Sequence, residues 1–116
     1  MRERIRDKGR LEDILEYSKN VEKLIDGFSY DDFTADIRTY FAVMKNIEIV
    51  GEAVYMLTKD FKDVHAEIPW QIIQGMRHVL VHGYYKIRPK QLWNTIEQDI
   101  PELKPFIEQY YKECEE

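Results

Sequence analysis

The chain has 116 residues, a formal net charge of −5, 44% hydrophobic residues and 34% charged residues. That length suits one domain with one core, the composition is too apolar for a disordered chain, and no apolar run reaches the roughly 20 residues that a membrane-spanning helix needs. The single cysteine, Cys114, excludes an internal disulfide and cannot complete a metal site alone.

Charged residues follow Met1 with no apolar segment behind them, so no secretory signal is expected and the expected compartment is the cytoplasm. Leu11, Ile14, Leu15, Val21, Ile25 and Phe28 recur at helical intervals, which predicts an amphipathic helix over about 10–26 that stops at Asp26-Gly27. Ser29, followed three positions later by Asp32, has the pattern of a capping box, and a second helix starts there or just beyond. Its seam of Tyr40, Val43, Ile47, Val50, Val54 and Leu57 alternates in steps of three and four, as in helices packed at shallow angles. Thr58 to Pro69 is polar and irregular. A third helix is expected from Pro69-Trp70 to about His82, ended by Gly83 in a left-handed conformation. Pro89 opens a fourth helix through Leu92, Trp93, Ile96 and Ile100, which Pro101 breaks or kinks, with Asp99 capping a new start. Leu103, Phe106, Ile107 and Tyr110 continue the apolar stripe. No strand of convincing length is present, so the expected fold is an all-α, up-and-down bundle of four to five helices over residues 1–116. Trp70, Trp93, Phe106 and the methionines are expected in its core, and His65 on its surface.

The net negative charge argues against a nucleic-acid partner, but its distribution reverses that inference. Trp70 to Ile96 contains no Asp or Glu and carries Arg77, Lys86, Arg88 and Lys90, a local positive field on an acidic body. Lys86, Arg88 and Lys90 are therefore candidate RNA contacts. Within the same segment, residues 76–85 read MRHVLVHGYY and crowd five functional heads into ten positions. Arg77 offers a charged fork that matches phosphate oxygens. His82 sits at a helix C-terminus, where the dipole favours imidazolium. A phosphate-gripping cation beside a titrating imidazole suffices for cleaving RNA, whose own 2′-hydroxyl serves as the nucleophile. The two residues stand about 140° apart on an ideal helix, so they share a stripe only if the last turn deforms or a second chain packs alongside. Glu48 and Glu52 share a helix face. They are too few for a hard-metal site and are more naturally solvated carboxylates or an orienting contact to Arg77 or His78, so neither metal nor cofactor is expected. Gly51, in mid-helix, marks a close approach of another helix, read as packing rather than chemistry.

Arg77-His78-Val79-Leu80-Val81-His82-Gly83-Tyr84 resembles the R-x-x-x-x-H-x-Y signature of HEPN-superfamily proteins, and more closely that of HepT-like toxins. Asn46 to Ala53 is similar to that family's second-helix motif, and Glu67-Ile68-Pro69-Trp70 to the lead-in of its active helix. His78 stands where HepT-like sequences often carry Asn. The resemblance implies a homodimer whose composite cleft joins Arg and His of both protomers, with Arg77 and His82 catalytic and His78 and Glu48 supporting. It also implies a metal-independent endoribonuclease, the toxin of a type VII-like toxin-antitoxin pair, silenced when an MntA-type nucleotidyltransferase antitoxin attaches AMP to Tyr84. Two other readings stay open: a non-catalytic helical dimer that is scaffold and modification substrate for the nucleotidyltransferase, and an RNA-binding module using the acid-free segment.

Overall fold

The computed structural model describes the backbone of residues 2–83 and 87–115, and side chains from Arg6 to Gly83 and from Ile87 to Cys114. Its first helix, α1 (Arg2–Leu24), begins earlier than the apolar periodicity implied. The chain turns after it through Gly27, whose φ of 77° lies in the left-handed region that glycine tolerates. Ser29 then caps α2 (Tyr30–Ala35) through the expected reciprocal pair: Asp32 N–H donates to Ser29 Oγ at 3.1 Å, and Ser29 N–H to Asp32 Oδ2 at 3.0 Å. That helix is only six residues long, because Asp36 interrupts it in extended geometry and caps a new one, α3 (Ile37–Met56), by accepting from the N–H groups of Arg38 and Thr39. A short acid that competes for backbone donors splits what the spacing predicted as one helix.

Hydrogen bonds from the Thr39 backbone and hydroxyl hold the Asp36 carboxyl below its usual range, and those from Ser29 do the same for Asp32. A carboxyl depressed in the folded state contributes stability above its ordinary value near 3.9 and loses it as pH falls through the lowered value. The start of α3 should therefore fray before the bundle in acid. An NMR titration should show the Thr39 amide moving in that window in the wild type. Asp36→Asn, which caps without titrating, should abolish that movement.

Along α3 the seam faces inward as expected, with Val43, Ile47, Val50, Val54 and Leu57 buried and Tyr40 half-buried. The segment read as irregular contains a further helix, α4 (Lys59–Val64), capped by Thr58 and packed through Phe61 alone. Six residues with one inward aromatic carry too little periodicity to be seen. Buried Asp7 fixes this corner by accepting from Thr58 N–H at 2.9 Å and Oγ at 2.7 Å. Next comes α5 (Trp70–His82). Gly83 ends it with φ −151° and its N–H on Val79 O at 2.7 Å, so the expected left-handed turn is not used.

From Pro89 the chain runs as one continuous column: α6 (Pro89–Asn94), a π turn (Thr95–Asp99), and α7 (Ile100–Glu115). Pro101 neither ends the column nor makes Asp99 a cap. A proline lacks its N–H and crowds the carbonyl four residues back. The wider turn, in which Ile100 N–H reaches Thr95 O, absorbs that conflict.

Contacts across the columns fix their directions. Asp7 meets Thr58 and Asn20 meets Asn46, so α1 and α3 are antiparallel. Gly51 meets Arg77 while Leu57 and Trp70 share one buried cluster, so α3 and α5 are antiparallel too. Lys104 pairs with Glu22 and Lys8 lies over the Tyr111 ring, setting α7 against α1 in the same sense. Among the described residues the result is an all-α bundle of four long columns with two short helices in its connections. One buried cluster gathers Leu11, Ile14, Val54, Leu57, Trp70 and Ile107, and the other Val21, Phe33, Val43, Ile47, Leu92 and Trp93. Phe106, expected in the core, is 42% exposed, and so is Met56 at 45%. His65, expected at the surface, is instead wedged between the rings of Phe61 and Tyr110, with Glu67 hydrogen-bonded to the Tyr110 hydroxyl. No helix among the described residues is long and apolar enough to cross a membrane.

Candidate active site

Leu80 and Trp70 bury one side of α5, and Gln71, Gly75, His78 and His82 form the opposite, exposed stripe. Arg77 lies between the two sides, against α3. The backbone comes close there because position 51 is glycine: a methyl group on Gly51 would overlap Cβ of Arg77, and would stand 3.2 Å from its Cα. The helix–helix approach expected at Gly51 thus exists, and it seats the arginine itself. Nε and Nη2 of Arg77 each lie 2.7 Å from Oε2 of Glu52, and its guanidinium carbon is 4.8 Å from the centre of the Tyr55 ring. Sequence spacing left Glu48 and Glu52 equivalent as partners for Arg77. The structure gives that contact to Glu52, while Glu48 pairs with Lys45 at 3.4 Å. A carboxylate holding the fork by one edge fixes its orientation and leaves Nη1 to reach another anion.

His78 and His82 are both exposed, and their rings lie side by side with centres 4.8 Å apart at 52°. They occupy one stripe because they are four residues apart. The last turn of α5 stays α-helical through His82. Arg77 and His82 of one chain therefore keep their angular separation of about 140°. The arginine faces α3 and the imidazoles face outward. Arg88 and Lys90 are exposed beyond the helix, Lys90 with its Nζ 4.6 Å from the Tyr30 ring. Tyr84 and Lys86 lie outside the described residues. Among the described residues no three His, Cys, Asp or Glu side chains gather as a metal site would need. Tyr55 is the member of this neighbourhood that sequence reasoning missed. Its one signal was an aromatic residue placed off the buried seam of α3.

Residues 14–110, which include all of α3 and α5, match the family described as "Ribonuclease HepT-like". The chain belongs to the HepT-like ribonuclease family. Among its HepT-like relatives is one named "Probable ribonuclease HepT" from Thermococcus cleftensis, 40% identical over 105 residues, spanning 90% of this chain and 96% of that protein. Proteins named "Putative RNase" are similar over comparable lengths. The one from Caldanaerobacter subterraneus is 36% identical over 85% of this chain and 88% of its own length, and one from Methanocaldococcus jannaschii is 32% identical over 93% and 89%. No solved structure matches this HepT-like chain.

Proposed function

We propose that this HepT-like protein is the toxin of a two-gene system, an endoribonuclease that needs no metal and is silenced by AMP addition at Tyr84. The observation that carries the reading is the make-up of α5: a phosphate-matching guanidinium held by Glu52, and two neighbouring exposed imidazoles one face away, in a chain of a ribonuclease family. In the reaction an imidazole accepts the proton of the RNA 2′-hydroxyl as that oxygen attacks phosphorus. A second imidazole protonates the departing 5′-oxygen, and Arg77 neutralises the charge gathering on the non-bridging oxygens. The products are a 2′,3′-cyclic phosphate and a free 5′-hydroxyl. His82 is the base, and His78 beside it, as imidazolium, supports it as the acid.

Arg77 and His82 of one chain diverge, so the productive cleft belongs to a homodimer in which α5 of each copy faces the other. The exposed Ile72 and Val81, which flank the imidazole stripe, and the bare surface at Gly75 support that pairing. The second gene supplies an MntA-type nucleotidyltransferase. AMP on Tyr84, two residues past His82, puts a phosphodiester and a base where RNA phosphate must bind. A second reading, in which the dimer is a non-catalytic scaffold and modification substrate, draws on Arg77 being already paired with Glu52.

One experiment separates the two. Unmodified protein should cut single-stranded RNA, and incubation with the partner and ATP should stop it, with one AMP mass added per chain. Tyr84→Phe should keep cutting and gain no AMP. Modification of a wild-type protein that never cuts RNA would favour the scaffold. AMP persisting on Tyr84→Phe would move the acceptor elsewhere.

A further inference from the structure

Tyr55 projects from α3 away from the core, 53% exposed, with cations on hand: the Arg77 guanidinium carbon 4.8 Å from its ring centre and Lys62 Nζ 6.0 Å from it. Its ring borders an open groove of about 780 Å³ between the end of α3, α4 and the first half of α5. Lys59, Lys62, Gln71 and Gln74 line the walls. A volume in the range of roughly 300–1,000 Å³ suits a small ligand rather than a helix. Two amides and two ammonium groups beside an exposed ring suit one that is part aromatic and part anionic. Asp63 pairs with Lys59 at 2.9 Å, but both side chains are largely in water, so the pair neutralises the groove only weakly. Lys62 is steered towards the ring by its hydrogen bond to Tyr55 O at 3.2 Å. Arg77 touches the same ring, so one side chain, Tyr55, separates the groove from the residue assigned to the scissile phosphate.

We propose that this groove is a nucleotide subsite for single-stranded RNA, in which an unpaired base stacks on Tyr55 and an adjoining phosphate lies against Lys62 and Lys59. The proposal rests on the ribonuclease reading and adds to it where the substrate strand runs. Stacking on an exposed aromatic ring needs a base free of a duplex, so paired RNA should bind poorly there.

The test uses fluorescence anisotropy of the full chain with a labelled oligouridylate made uncleavable by 2′-O-methyl groups. Tyr55→Ala should weaken binding about 5- to 150-fold, the range expected for one stacked base, while Tyr55→Phe stays within about twofold. Lys62→Gln should lower the salt slope by about one. The same measurements in an Arg77→Ala background separate stacking from support of Arg77: the Tyr55→Ala loss should persist there. Its disappearance in that background would show that the ring serves only to hold Arg77, and would overturn the subsite. Unchanged binding of Tyr55→Ala, with wild type cutting RNA and Arg77→Ala not, would sink the subsite alone. A wild type that neither binds nor cuts RNA would overturn the ribonuclease reading along with it.

Discussion

His82→Ala and Arg77→Ala should each lower RNA cleavage by about 10²–10⁴-fold, the range associated with removing a positioned acid–base group or an oxyanion-stabilising cation. Neither loss should come from unfolding. His82 is exposed, and Arg77 contributes to stability mainly through an ion pair whose carboxylate partner is half in solvent. Melting curves of both variants should therefore lie close to wild type while the time courses collapse. Co-expressing the two dead variants adds a geometric test. A heterodimer keeps one intact pair formed by Arg77 of one protomer and His82 of its partner, and no intact pair within a protomer. If the productive pair forms between chains, a statistical mixture should recover about a quarter of wild-type activity. A mixture as dead as its parents would return the pair to a single chain and require the end of α5 to reshape on binding.

Gly51→Val should cost stability and activity together. Leaving glycine in a helix interior gains up to about 1 kcal/mol. Against that, a side chain at position 51 meets Cβ and Cα of Arg77, which are backbone-bound and cannot swing away as a flexible tip would. Overpacking of this kind costs about 1–3 kcal/mol, and a β-branched residue sits at the upper end. The net loss should be about 2–3 kcal/mol, read as a lower midpoint in urea unfolding. Cleavage should fall by more than that loss implies, because a guanidinium displaced by an ångström can forfeit about 100-fold in rate. Gly9→Ala is the control: nothing lies within 4 Å of the added methyl, so it should gain stability and leave cleavage unchanged. A Gly51→Val protein as active as wild type would remove the link between the glycine and the placement of Arg77.

The same two residues show how far the sequence could be read. The seam from Tyr40 to Leu57 announced the central column because every third or fourth side chain is buried, and burial is what periodicity records. Four columns were legible for that reason, whereas α4 was not, since only Phe61 of its six residues turns inward. Local hydrogen-bond competition was the other blind spot. Asp36 splits one expected helix into two, and a widened turn lets the helix pass Pro101, although both residues were in plain view. In the site, Arg77 and His82 stood out through residue type and spacing along one helix. What each faces depends on α3, and nothing in the spacing chose Glu52 over Glu48 or brought Tyr55 to the guanidinium. Gly51 carried a real signal, but the atom it makes room for became visible only once the columns were packed.

In the proposed reaction Arg77 and the imidazoles of α5 cut RNA through its own 2′-hydroxyl. It is tested most directly by incubating purified, unmodified protein with a defined single-stranded RNA in EDTA, beside its all-deoxy counterpart, and identifying the new ends by mass spectrometry. The expected products are 2′,3′-cyclic phosphate ends from the RNA, undiminished by the chelator, and an untouched DNA strand. Strict dependence on added Mg²⁺, or cleavage of the DNA, would contradict it.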